Sequence, residues 1–165
     1  MFGRFVALLA GIAGAVAASQ APAFTGQYRQ NLAGRVAELE IIVARFDENI
    51  SRIGYDRTRA LDECSVAERL LGALCDGINA DIARLTTLQA HQAALNAAQP
   101  WMRPLVLARE VRPEIAQSAW DSYQPAMPTT PEGAGYAGGG FVLLYALFAL
   151  LAAPFRRRPK RRFAY

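Results

Sequence analysis

The chain holds one histidine, two cysteines and fourteen carboxylates, and most protein chemistry is assembled from side chains of these kinds. His91 stands alone, so no pair of imidazoles forms a relay. With only Cys64 and Cys75 to join it, there is no His/Cys ligand set at metal-site spacing. Among Gln89, Gln92 and Asn96 on a helix, His91 reads as a solvated residue. Glu38 with Glu40, and Asp62 with Glu63, are neighbours whose side chains diverge on a helix, which makes them ordinary surface charge. Gly135 and Gly138 to Gly140 lead into an apolar run with no Lys-Ser/Thr after them, so they read as helix entry or packing rather than a phosphate loop. No residue is nominated as catalytic, cofactor-binding or metal-ligating, and the expectation is a protein that is not an enzyme and carries no cofactor.

Cys64 and Cys75 are the remaining reactive pair. On one continuous helix their Cα atoms would lie about 16 Å apart, whereas a disulfide needs roughly 4.4 to 6.8 Å, so a bond requires a bend between them. An intramolecular bond, free thiols and an intermolecular bond all stay open.

The elements that position these residues follow from where charge is missing. The chain is 165 residues long and 53% apolar, and the excess sits at its ends. No charged residue occurs from Phe5 to Tyr28 or from Gly133 to Phe155, and each stretch supplies the roughly 20 apolar residues that cross a hydrocarbon core. The net charge of +4 owes most to Arg156, Arg157, Arg158, Lys160, Arg161 and Arg162; from Ser19 to Ala134 eleven arginines face fourteen acids, a balance of −3. That balance removes the basic face that nucleic acid requires. A basic cluster following an apolar segment is retained on the cytoplasmic side and attracted to anionic lipid there. Arg4 places the N-terminus on the same side.

The expected layout is therefore an all-α membrane protein. It has a cytoplasmic start (residues 1–4), a first span (5–24), a periplasmic helical hairpin (25–99), a proline-rich return segment (100–132), a second span (133–155) and a basic cytoplasmic tail (156–165). A cleaved signal peptide is the rival for the first segment, with Phe5 to Gly14 as its apolar region and Ala15-Val16-Ala17 or Ala21-Pro22-Ala23 as the small-residue site. Retention is preferred because the apolar run continues past those sites.

In the middle, Leu32, Val36, Leu39, Val43, Phe46, Ile50 and Ile53 alternate spacings of four and three, which predicts a coiled-coil-like seam on a helix from about Gln27 to Ile53, stopped by Gly54. Asp47, Glu48 and Arg52 lie off that seam. Ser65-Val66-Ala67-Glu68 has the form of a capping box and predicts a second helix running to about Ala98. Its stripe of Leu71, Leu74, Ile78, Leu85, Leu88 and Leu95 is interrupted at Asp81 and Gln92. The two stripes predict an antiparallel hairpin. Prolines then divide the chain, with a short helix from Leu105, a better one from Pro113 to about Tyr123, and an extended strap PAMPTTPE before the second span. Trp101 and Trp120 read as interfacial anchors or as packing against the hairpin base.

The order of parts resembles a proteobacterial two-span inner-membrane protein family catalogued only as a domain of unknown function. The likeness covers nearly the whole chain. It is carried by SQAPAFTGQY at the end of the first span, QNLAGRVAELEIIVARFD in the first hairpin helix and, most specifically, PEIAQSAWDSYQPAMPTTPEG before the second span. The resemblance implies topology and adds no catalytic residue.

Small residues line both spans: Gly11 with Ala15 and Gly14 with Ala18 in the first, Gly135 with Gly139 in the second. Such spacing permits close helix approach inside lipid. Together with the long seam, it predicts a scaffolding or accessory subunit that holds other membrane chains or a second copy of itself. The alternative is an independent envelope protein whose hairpin contacts a soluble or cell-wall partner; an enzyme without a recognisable motif comes third.

Overall fold

A computed structural model describes residues 2–65, 69–125, 127 and 129–153. Among these the chain is all-α: α1 (Phe2–Arg52), α2 (Arg57–Ser65), α3 (Arg69–Ala97), α4 (Arg103–Arg109), α5 (Pro113–Asp121) and α6 (Pro131–Ala152), with a 3-10 turn at Pro100–Met102 before α4. Two of these helices, α1 and α6, are long and apolar enough to cross a membrane. The chain divides into two units, one made of residues 1–25 and 123–165 and the other of residues 26–122. The basic tail, Arg156 to Arg162, lies outside the described residues.

Local signals account for several of the helix ends. Gly54 stops α1 by adopting φ +82°, a left-handed conformation that costs a glycine nothing. The Gly54 N–H then donates to the Ser51 carbonyl and the Tyr55 N–H to that of Ile50, the paired bonds of a Schellman ending. Asp56 begins α2, its carboxylate accepting from the Arg59 N–H at 2.8 Å. Thr130 begins α6 in the same way, its hydroxyl accepting from the Gly133 N–H, with Pro131 in the first helical position. Pro22 lies inside α1. Ser65 closes α2, and the rest of the expected capping box falls at residues 66–68, outside the described residues.

In the unit of residues 26–122, the second half of α1 pairs with α3 in antiparallel fashion. Arg29 bonds Asn96 near one end, and farther along Glu40 accepts from Gln89 at 2.8 Å. Tyr28, Leu32, Val36, Leu39 and Val43 are buried on α1, and Cys75, Leu88, His91 and Leu95 on α3. The seam does not stay closed along its length. Phe46 and Ile50 are only half-buried and Ile53 is 71% exposed, a correction to the uniform seam expected from spacing. At that end α2 intervenes between α1 and α3 in the chain. Cys64 at its end is bonded to Cys75 with Cα atoms 5.5 Å apart, so α3 pairs with α2 where it would otherwise have continued along α1. A Cα separation of 5.5 Å over 11 residues is far below the span of a continuous helix, so the bend that the bond requires is present.

Asp47 is not an idle surface acid. Both its carboxylate oxygens accept from the Arg57 guanidinium, tying α1 to the start of α2, and this hydrogen bonding holds the carboxyl below its usual pKa.

Burial ranks the substitutions. Leu32 is fully enclosed, so Leu32→Ala should cost about 2 to 5 kcal/mol, while Glu48→Ala removes only an exposed i,i+4 pair with Arg52 and should cost under about 0.5 kcal/mol. Denaturation in a mild detergent measures both. Equal costs would show that this stripe is not a core.

Candidate functional site

The polar centre of residues 26–122 is built on Tyr28, whose side chain is fully buried. It sits one turn before Leu32 and so extends the seam, presenting a phenol where a leucine would be expected. Its hydroxyl accepts from the Arg112 backbone N–H at 3.1 Å and lies 3.1 Å from Nε2 of His91. The direction of that second bond follows the tautomer of the ring, since a phenol oxygen can accept twice or accept once and donate. The two rings meet edge to face at 5.7 Å. Nδ1 is buried without a hydrogen-bond partner, with the exposed Glu110 carboxylate 3.6 Å away. His91 is thus buried rather than solvated, as its sequence neighbours had implied. The signal was present in its spacing, three residues after Leu88 and four before Leu95, and the residue type obscured it.

A carboxylate, an imidazole and a hydroxyl in line have the order of a nucleophilic triad. Here the phenol is sealed from solvent, and the arrangement pins separate parts of the chain together. It joins α1, α3 and the segment before α5, and a second bond, from the Ser118 hydroxyl to Oδ1 of Asn31, joins α5 to α1. Burial raises the Tyr28 pKa, which the Glu114 charge also favours, against the lowering effect of the Arg112 amide and of its guanidinium. Beside this centre Arg29 donates to Asn96 at 2.7 Å and Arg103 to the Ala98 carbonyl at 3.2 Å. Arg29 is held below the usual guanidinium range, first by burial and then by the Arg103 charge.

The other unit places the small residues. Gly14 of α1 packs on Gly140 of α6: a Cβ on Gly14 would lie 2.5 Å from the Gly140 carbonyl oxygen, and one on Gly140 would lie 2.6 Å from Cβ of Ala18. Gly11 meets Phe141 and Tyr145. Ala15 is half-buried. Gly135 and Gly139 take no part, since a Cβ on either would meet nothing within 4 Å. The glycine that the pair of helices uses is Gly140, which spacing did not single out from its neighbours. Near the ends of these segments Tyr123 donates to Oε1 of Gln20 at 2.6 Å and packs edge-on against Phe24. Among the described residues no group of three or more His, Cys, Asp or Glu could hold a metal ion.

Removing the Tyr28 hydroxyl strands the Arg112 amide, so Tyr28→Phe should destabilise by about 1 to 3 kcal/mol. The raised pKa adds a pH signature. Its stabilisation is complete below the ordinary tyrosine value of about 10 and is lost as pH climbs through the higher folded-state value. Unfolding curves from neutral to strongly alkaline pH should show a fall above about pH 10 that is smaller in Tyr28→Phe. An identical alkaline profile in both proteins would remove Tyr28 from this role.

No curated protein and no solved structure matches the chain. One family does, described as "Protein of unknown function (DUF2937)"; its model matches residues 2–161, and the chain belongs to that family.

Proposed function

We propose that the protein is a non-catalytic accessory or scaffolding subunit of a bacterial inner-membrane complex. In this reading α1 and α6 span the bilayer, both termini are cytoplasmic, and residues 25–132 lie in the periplasm. One observation carries it: α1 and α6 use Gly14 and Gly140 on one another, and Gly135 with Gly139 remain uncovered on an apolar helix. Lipid tails offer little drive for helices to associate, so an open small-residue face serves close approach by another helix. The sealed Tyr28 hydroxyl supports a structural rather than a catalytic reading of the polar centre.

The alternative, an envelope protein that works through its hairpin, draws support from Leu70, Leu71 and Leu74. They are exposed in a row at the start of α3, and Leu71 and Leu74 are stripe positions without a covering helix. Co-purification from native membranes separates the two readings by whether the partner depends on α6 or on α3.

Topology is checked by reporters. A cytoplasm-active reporter at Tyr165 should work, and one near Gly54 should work only if it is periplasm-active. The reverse pattern, or a mature N-terminus found near Ala18 or Phe24, overturns the two-span arrangement.

The scaffold itself is checked by Gly135→Leu with Gly139→Leu. This variant should insert and keep the α1–α6 pair yet lose a co-purified partner or second copy. A chain that runs as a lone monomer in several mild detergents, with no change on that substitution, defeats the proposal.

A further inference from the structure

Trp101 and Trp120 are the two tryptophans of the chain. They are 54% and 66% exposed, and Leu105 between them is 48% exposed, although α4 and α5 bury Leu107, Ile115 and Ala119. These short helices therefore have two apolar sides, of which one faces inward. Indole rings are favoured at the level of lipid headgroups, where an apolar body and a polar N–H are both accommodated.

Arg103 begins α4, between Trp101 and Leu105 in sequence. Arg29 and Arg103 both reach the C-terminal end of α3, through Asn96 and the Ala98 carbonyl, and Nε of Arg29 is buried with no hydrogen-bond partner. The negative end of a helix dipole attracts such charges but leaves two guanidiniums repelling each other. A phosphate, with several acceptor oxygens, would relieve the repulsion by accepting from the terminal guanidinium nitrogens, where the Arg29 bond to Asn96 is exposed.

Chain length fixes where such a phosphate can be. Tyr28, which holds Arg112 at the start of α5, is four residues beyond Phe24, the last residue of the first apolar segment. Four residues reach at most about 14 Å by any path, and the headgroup layer beyond the hydrocarbon is itself roughly 5 to 7 Å deep. Tyr28 and Arg29 are thus tethered close to that layer by chain connection alone.

We propose that Trp101, Leu105 and Trp120, with Arg29 and Arg103, form a binding surface for anionic phospholipid headgroups that seats α4 and α5 in the interfacial layer. This rests on the membrane placement proposed above and is independent of the scaffolding role; the topology reporters test that placement separately.

The test uses the full chain in nanodiscs of phosphatidylcholine and phosphatidylglycerol, with one lipid or the other brominated close to the headgroup. Trp101→Phe and Trp120→Phe each leave a single fluorophore. Each remaining tryptophan should be quenched, and more strongly by brominated phosphatidylglycerol than by brominated phosphatidylcholine. Arg103→Gln should lower that preference about fivefold, the worth of one arginine near an anionic surface, and Arg103→Lys should retain it. Circular dichroism of the variants shows that they remain folded. Tryptophans quenched by neither lipid, whether open to aqueous acrylamide or shielded by another protein, overturn the proposal. Equal quenching by the two lipids, or a preference that survives Arg103→Gln, overturns the headgroup assignment.

Discussion

A phenol sealed from water must find partners for both its oxygen and its proton, because an unmet polar group in an apolar seam costs about as much as a large-to-small change in the core. In residues 26–122 Tyr28 meets that requirement with the Arg112 amide and the His91 ring. The two partners come from different parts of the chain, one from α3 and one from the segment before α5. Satisfying one hydroxyl therefore fixes which turn of α3 faces α1 and where the chain must stand before it enters α5. Leucines in a seam slide past one another at modest cost; a hydroxyl with two directional bonds does not. Leu32, Leu88 and Leu95 then close around a register that has already been chosen.

The other unit solves a different problem with less chemistry. Between apolar helices in lipid, hydrophobicity gives no preference for helix over lipid tail, and distance of approach decides the contact. Gly14 and Gly140 bring two backbones so close that neither position has room for a methyl group. The two units thus use contrasting kinds of specificity, one directional and polar, the other purely steric.

How much of this could be read in the sequence depends on which physical signal a residue carries. Absence of charge marks α1 and α6, and periodicity finds the stripe from Leu32 to Val43. The end of that stripe is not legible in this way, because periodicity records amphipathicity and not what covers it: Ile53 continues the spacing and remains exposed. The helix α2 was missed because its nine residues are too few to show a period, although Asp56 carried the capping signal. His91 and Tyr28 were hidden by residue type, since a polar side chain at a seam position is recognised only once its partner is known, and the partners lie 63 and 84 residues away in sequence. Choosing Gly140 from among the glycines at Gly135 and Gly138 to Gly140 needs the rotation of α6, which composition does not encode.

The Cys64–Cys75 bond also governs how α2 comes to exist. A nine-residue helix is too short to persist on its own, and the bond ties the end of α2 to α3. Closing a loop of 11 residues is worth about 3 kcal/mol in chain entropy, more than a hundredfold in the balance between an ordered and a frayed segment. The shape of this end of the hairpin is accordingly set by electron transfer as well as by packing. Two electrons must leave the chain before α2 is secured, so its assembly waits on an oxidant, and a newly made chain and a mature one differ there in structure with no difference in sequence.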